Sequence, residues 1–71
     1  MSEARDVPIR GEVIRLGELL KLAGVVATGG EAKLLLASEE VLVNGEPDAR
    51  RGRQLRAGDE VVVGDERLRV A

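Results

Sequence analysis

The chain contains no aromatic residue, no cysteine and no histidine, so its core must be built from leucine, valine, isoleucine and alanine. No disulfide or thiolate metal site can stabilise such a fold, and a zinc ion would have only carboxylate ligands. With 71 residues, the chain is close to the size at which one core is only just sufficient. We therefore expect one small aliphatic domain without a metal or a cofactor.

The start of the chain predicts a polar tail followed by a strand. Residues 1–6 are polar and predict a flexible N-terminus, whereas residues 7–71 predict a single domain. From Val7 to Arg15, apolar and polar residues alternate, which is typical of a strand. Pro8 lacks the amide hydrogen that a central strand needs, so it predicts a position at a sheet edge.

Two short helices are predicted next. The first has its apolar residues at the spacing of one helical face, namely Leu16, Leu19, Leu20 and Ala23. Gly24 follows and favours the left-handed conformation that ends many helices. Thr28 and Glu31 have the spacing of a capping box, in which the Glu31 side chain reaches back to the Thr28 amide. The link between the two helices is so short that they must pack together.

Strands with a period of two and tight turns fill the second half of the chain. Asn44-Gly45 predicts a two-residue hairpin turn, since both residues accept a positive φ angle. Pro47 again predicts a sheet edge, and further turns are expected at residues 57–59 and 64–65. This order of elements predicts an α+β fold, with two short packed helices against a small antiparallel sheet made of an N-terminal strand and C-terminal hairpins.

The composition argues against a catalytic or membrane-bound role. Without histidine, cysteine or tyrosine, the chain offers few candidates for a catalytic base or nucleophile. No apolar run approaches the ~20 residues of a membrane span, and no signal-peptide pattern opens the chain. We therefore predict a soluble cytoplasmic protein that is not an enzyme, does not bind a membrane, and is a monomer rather than a dimer.

Residues 49–56 concentrate positive charge in a chain whose formal net charge is −2. This arginine stretch contains Arg50, Arg51, Arg53 and Arg56 and no acidic residue. One interpretation is a solvated face balanced by neighbouring carboxylates, Asp48 among them. We favour a binding role, because arginine grips phosphate bidentately and stacks on bases, and no aromatic side chain is present to do so. If the stretch were extended, Arg51 and Arg53 would share a face and Arg50 would point away.

The start of the second helix is a further candidate site. Thr28, Gly29 and Gly30 would offer free amides to a phosphate, and the glycines would allow a close approach. Helix capping alone also explains this pattern, and Glu31 places a negative charge at the same end.

The remaining candidates lie on the helices and in the turns. Lys21 and Lys33 would contact phosphate if the two helices face one groove, and are otherwise solvated surface lysines. Asn44 is primarily a turn residue, with a nucleic-acid contact as the alternative. Arg56 precedes a turn and is the most peripheral of the arginines.

Three motifs occur in a fixed order along the chain: RLGELLKLAGVV, TGGEAKLLLASEEVLVNGE and RRGRQLRAGDEVVV. In this order they resemble an S-four domain, or alpha-L motif, a small RNA-binding module first described in a protein of the small ribosomal subunit. The resemblance covers residues 16–63. The helix start at residues 28–30, Lys33 and the run at residues 50–53 are similar to the free-standing bacterial YbcJ-like members of that group.

One position departs from the family pattern. Many members carry an arginine directly after the Ser or Thr that begins the second helix, and this chain has Gly29 there. The resemblance then implies that this contact is absent, or that Lys33 and the arginine stretch provide it.

We therefore predict non-catalytic binding of structured RNA, with ribosomal RNA among the candidates, through a local basic face on an acidic domain. The expected RNA-binding residues are Lys21, Thr28, Gly29, Gly30, Lys33, Asn44, Arg50, Arg51, Arg53 and Arg56. The ribosome or a second RNA-binding protein is the expected partner. The alternative is a protein-interaction module that binds an acidic partner through the arginine stretch.

Overall fold

The computed structural model describes residues 3–71, which form two helices, a five-stranded sheet and a separate two-stranded sheet. The elements in chain order are β1 (Arg5–Val7), β2 (Ile14–Arg15), α1 (Leu16–Leu22), α2 (Gly29–Ser38), β3 (Val41–Val43), β4 (Glu46–Pro47), β5 (Gln54–Leu55), β6 (Glu60–Val63) and β7 (Glu66–Val70). This arrangement confirms the predicted α+β class.

The five-stranded sheet has the order β1-β7-β6-β3-β4 and is mixed rather than antiparallel. Its strands pair in antiparallel fashion except for β1 and β7, which run parallel with Arg5 opposite Leu68 and Val7 opposite Val70. The predicted antiparallel pairing therefore holds for every pair of this sheet except β1 with β7. The pairing joins the two ends of the described chain, and no local sequence pattern reports such a contact.

The N-terminal segment is more ordered than its polarity predicted. Arg5 and Asp6 belong to β1, and the Asp6 carboxylate accepts a 2.9 Å hydrogen bond from Nε of Arg69. Two residues of the segment that the sequence assigned to a flexible tail, residues 1–6, are thus paired with β7. Residues 1 and 2 lie outside the described residues.

The single strand predicted from Val7 to Arg15 is interrupted. β1 ends at Val7, directly before Pro8, and Gly11 has a φ angle of +79°. The chain turns there, and β2 then pairs in antiparallel fashion with β5 in the second sheet. The alternating pattern was correct at its two ends, but a proline and a left-handed glycine break the ladder between them.

The helix ends follow the predicted signals with one difference. Gly24 has a φ angle of +78° and donates its amide to the Lys21 carbonyl at 3.0 Å, which ends α1. At the start of α2, Thr28 Oγ1 accepts from the Glu31 amide at 3.1 Å. The Glu31 carboxylate accepts from the Ala27 amide at 2.8 Å, one residue before the predicted Thr28 partner.

The hairpin turns agree with the sequence. Asn44 and Gly45 have φ angles of +52° and +86°, and they connect β3 to β4 with Val43 opposite Glu46. Pro47 lies in β4, which is an edge strand as predicted.

One aliphatic core lies between the helices and the sheet. Its fully buried members include Leu16, Leu19, Leu20, Leu55, Leu68, Val43, Val61 and Val70. Within residues 3–71, no polar or charged side chain is buried with them. No helix in this range is long and apolar enough to cross a membrane. All cations are therefore placed at the surface, where the loops decide which of them meet.

Candidate nucleic-acid interface

The arginine loop, residues 48–53, is folded around the carboxylate of Asp48. The Asp48 side chain is only 7% exposed and accepts from the backbone amide, Nε and Nη2 of Arg50 at 2.9, 3.1 and 2.9 Å. It also accepts from Nη1 of Arg53 at 2.8 Å. The pKa of Asp48 lies well below its usual range, mainly because of the hydrogen bonds from Arg50. Asp48 is therefore a carboxylate that the arginine loop largely shields from solvent and that fixes two guanidinium groups.

The arginine stretch is not extended, so the condition under which Arg51 and Arg53 would share a face is not met. The amide of Arg53 donates to the carbonyl of Arg50 at 3.1 Å, so the loop turns at residues 51–52. Arg50 and Arg53 converge on one carboxylate, whereas Arg51 does not. The interpretation in which neighbouring carboxylates balance the charge thus applies to Arg50 and Arg53, which both pair with Asp48. An aspartate that accepts from the amide two residues later is a common local turn, which explains why the loop closes.

The arginine loop also caps the first turn of α1. The Leu16 amide donates to the Arg53 carbonyl at 2.8 Å, and the Gly17 amide donates to the Arg51 carbonyl at 2.9 Å. Arg15, at the N-cap position, makes no side-chain capping hydrogen bond. The loop carbonyls thus take the place of a capping side chain and hold the loop against the helix.

A cleft of about 250 Å³ lies between α1, the start of α2 and the arginine loop. We call it the basic cleft, and it is lined by Arg15, Gly17, Glu18, Lys21, Gly29, Arg51 and Gly52. Arg15, Lys21 and Arg51 are exposed, and none of them forms an ion pair with another described residue. Three cations, one at the N-cap of α1, one on that helix and one on the arginine loop, therefore line the same cleft with their charges available to a ligand.

The structure brings some of the other predicted residues close to this cleft. Lys33 is exposed and follows Gly29 by four residues on α2, so it lies on the same helical face one turn further on. Gly30 is exposed, and a Cβ atom there would meet only Thr28 Oγ1, at 3.8 Å. Thr28 itself uses its hydroxyl to cap α2, as the capping interpretation requires.

Asn44 and Arg56 do not line the basic cleft. The Asn44 amide group donates to the Asp59 carboxylate at 3.1 Å, and its oxygen accepts from the Glu60 amide at 3.0 Å. The Arg56 amide donates a hydrogen bond to the Asp59 carboxylate at 2.8 Å. The pKa of Asp59 is lowered mainly by this hydrogen bond. The geometry agrees with the turn interpretation of Asn44 and with the peripheral position of Arg56.

Sequence reasoning missed Arg15, Gly17 and Glu18 as lining residues. The signal that could have found them is Gly17, which interrupts a leucine-rich helical pattern without a turn to explain it. A glycine inside a helix costs stability, so it usually marks a close packing contact. Here Gly17 is buried in the first turn of α1, beneath the Arg51 side chain.

The basic cleft is suited to binding anions rather than to performing chemistry. Its guanidinium groups can each donate two parallel hydrogen bonds to a phosphate, and Gly29 and Gly52 leave room for a ligand backbone. Glu18 contributes one negative charge among three positive ones. The local field is therefore positive, although the whole chain carries a formal net charge of −2. The distant negative charges do not cancel it, because screening limits the reach of a charge to about 8 Å at physiological salt.

Comparison with known proteins supports the resemblance seen in the sequence. A model of the S4 domain matches residues 7–71. The chain is also 53% identical, over 60 residues, to a protein of Bacillus subtilis (strain 168) named "Probable ribosome maturation protein RlbA". That alignment covers 84% of each of the two chains. The chain therefore belongs to the S4 domain family.

Proposed function

We propose that this protein binds structured RNA without catalysis, through the basic cleft and the adjacent face of α2. The observation that carries the proposal is the convergence of Arg15, Lys21 and Arg51 at one cleft, each without an ion pair to a residue of the range 3–71. Cations gathered at one cleft without ion pairs repel one another. The same arrangement provides an attractive surface for phosphate.

The side chains available favour recognition of phosphate and shape over sequence. Arg51 and Arg15 can hold phosphates bidentately or stack on a base, whereas Lys21 and Lys33 act as point charges. No aromatic residue is present to build a stacking platform. Because Asp48 and the first turn of α1 already hold the arginine loop, little loop entropy is lost on binding.

The relative from Bacillus subtilis makes ribosomal RNA the first RNA to test, since its name describes ribosome maturation. About three to five phosphate contacts are available, which predicts a salt slope of about −2 to −4 in a plot of log K against log salt. Contacts this few give modest affinity. A second RNA-binding protein or the ribosome itself would supply the rest of the interface.

The sharpest test compares two variants that lose the same charge from opposite faces. Lys21→Gln with Arg51→Gln removes two cations from the basic cleft. Arg67→Gln with Arg69→Gln removes two from β7, where they alternate with the buried Leu68 and Val70 and so face away from the core. Each variant and the wild type are titrated with folded ribosomal RNA over a salt series, after circular dichroism confirms that they fold.

We expect the cleft variant to bind more weakly at every salt concentration, with a slope smaller in magnitude by about 2, and the β7 variant to resemble the wild type. Equal losses in the two variants would show that only net charge matters, and would contradict the proposal for this cleft. Absence of binding by the wild type at low salt would reject RNA as the ligand and favour an acidic protein partner.

A further inference from the structure

Glu18 is a carboxylate placed where a phosphate-binding surface should have none. It lines the basic cleft with Arg15, Lys21 and Arg51, and it is exposed. Its side chain makes no hydrogen bond or ion pair with any residue between positions 3 and 71. Asp48, by contrast, holds two arginines in position. A carboxylate that neither pairs with the cations nor shapes the loop leaves its acceptor oxygens free for a ligand.

We propose that the basic cleft takes one unstacked guanine of the bound RNA, and that Glu18 reads the Watson–Crick edge of that base. The inference rests on the proposed RNA-binding function and adds a specific subsite to it. Arg15, Lys21 and Arg51 hold the flanking phosphates or stack on the ring, and Glu18 supplies the acceptors.

The choice of guanine follows from the donors that each base presents to a carboxylate. Guanine carries two adjacent N–H donors on this edge, at N1 and N2, which match the two oxygens of one carboxylate. Adenine and cytosine each place an acceptor nitrogen beside their amino group, and uracil has a single N–H between two carbonyls. An acceptor facing a carboxylate is repelled, so guanine is the best partner.

The dimensions of the cleft agree with one base. Its volume of about 250 Å³ is smaller than the roughly 300–1,000 Å³ typical of sites for drug-sized ligands. Gly29 and Gly52 contribute no side chains to its lining, and a Cβ atom at either would meet nothing within 4 Å, so a planar ring can approach the backbone there. Glu18 and Lys21 are three residues apart on α1 and therefore project on the same side of the helix. One base and its phosphate can thus reach both side chains.

The test uses a short RNA hairpin with a single bulged nucleotide, made in five versions that carry guanine, inosine, adenine, cytosine or uracil at the bulge. Inosine lacks only the N2 amino group of guanine. The wild type is compared with Glu18→Gln and with Glu40→Gln, which removes the same charge from an exposed residue just before β3. Neither glutamate makes a hydrogen bond or ion pair with another residue between positions 3 and 71 that its amide would break, so both variants should fold.

We expect the wild type and Glu40→Gln to bind the guanine bulge about 10-fold more tightly than the inosine bulge. This factor corresponds to the lower end of the free energies that hydrogen bonds to a charged group contribute. In Glu18→Gln this difference should largely disappear. Equal binding of all five hairpins by the wild type would overturn the guanine subsite. A uniform gain for every hairpin in Glu18→Gln would also overturn it, since Glu18 would then only repel phosphate. Failure of the wild type to bind any hairpin at low salt would instead contradict the proposed function.

Discussion

The side chain of Arg51 occupies the space that a Cβ atom on residue 17 would need. An ideal Cβ built on Gly17 lies 2.5 Å from Cγ of Arg51 and 3.4 Å from the Arg51 carbonyl oxygen. The same two residues share the hydrogen bond from the Gly17 amide to that carbonyl. Gly17 therefore sets how closely the arginine loop approaches α1, and with it the direction in which Arg51 enters the basic cleft.

Replacing this glycine should weaken RNA binding. In Gly17→Ala the new methyl group must displace the exposed Arg51 side chain, so RNA affinity should fall several-fold. Because the clashing atom is Cγ rather than the flexible end of that side chain, the arginine loop must shift as well, at an overpacking cost of about 1–3 kcal/mol. Alanine is favoured over glycine inside a helix by about 0.5–1 kcal/mol, which offsets only part of this cost. We expect a net loss of about 1 kcal/mol in the free energy of unfolding in urea, followed by circular dichroism because the chain has no aromatic reporter.

A double-mutant cycle provides the control for this prediction. In an Arg51→Ala background no long side chain remains above residue 17, and the effect of Gly17→Ala on RNA affinity should vanish. A loss of the same size in both backgrounds would mean that Gly17 acts independently of Arg51.

Asp48 should be a stability residue whose loss also loosens the arginine loop. Asp48→Asn keeps the shape but weakens the hydrogen bonds to both guanidinium groups, and we expect a cost of about 1–3 kcal/mol in the free energy of unfolding. Asp6→Asn is the matched control, because it removes an aspartate whose ion pair with Arg69 is exposed on both sides. Such pairs contribute little. Similar losses in the two variants would contradict a structural role for Asp48.

The stability of the domain should depend on pH through the same carboxylate. The pKa of Asp48 is lowered in the folded state, so its contribution is fully present above the unfolded value of about 3.9 and is lost as the pH falls below it. The lowered pKa of Asp59 acts in the same direction. Urea titrations from neutral to acidic pH should show a steady decline below about pH 4 that is shallower in Asp48→Asn. An identical decline in both proteins would assign the acid sensitivity elsewhere.

Two substitutions of Asn44 should separate its turn conformation from its side-chain contacts. Asn44→Gly keeps the positive φ angle but loses the hydrogen bonds to Asp59 and Glu60. Asn44→Ala loses the same bonds and also places alanine, which tolerates the left-handed region less well than asparagine, at this position. The alanine variant should be less stable than the glycine variant by about 1 kcal/mol. RNA affinity, measured where both variants are folded, should remain at the wild-type value. A selective loss of RNA binding in Asn44→Gly would favour the alternative interpretation, a direct contact.

Thr28 should affect the protein through its cap on α2. Thr28→Ala leaves the Glu31 amide without its partner and should cost about 1 kcal/mol of unfolding free energy, whereas Thr28→Ser should retain most of it. Thermal unfolding of the two variants beside the wild type measures the difference. If serine were as damaging as alanine, the hydroxyl would not be the important group.

Local signals were sufficient for much of this fold, because the features concerned are determined by neighbours in sequence. Leu16, Leu19 and Leu20 lie on the buried side of α1, and Gly24 and the Asn44-Gly45 pair adopt the positive φ angles that were expected of them. Contacts between distant segments were not accessible in this way. The pairing of β1 with β7 and the capping of α1 by the arginine loop depend on which elements meet, and many combinations satisfy the same patterns.

The candidate site shows the same division. Charge density alone identified the arginine stretch, but composition cannot distinguish Arg51 from Arg50 and Arg53, which Asp48 holds. Their difference arises from the direction in which a tight turn points each side chain. Arg15 was overlooked for a related reason: it is an isolated cation in sequence and joins the cluster only because the loop returns to the start of α1.

The parallel edge of the sheet has a consequence for how the chain folds. β1 meets β7 only after nearly the whole chain has been looped back, whereas β6 and β7 are joined by Gly64 and Asp65 alone. Closing a long loop costs more entropy than closing a hairpin, so we expect the C-terminal hairpins to form first and β1 to add to an already assembled edge. The segment that begins the domain would then be the last strand to join the sheet and the first to leave it.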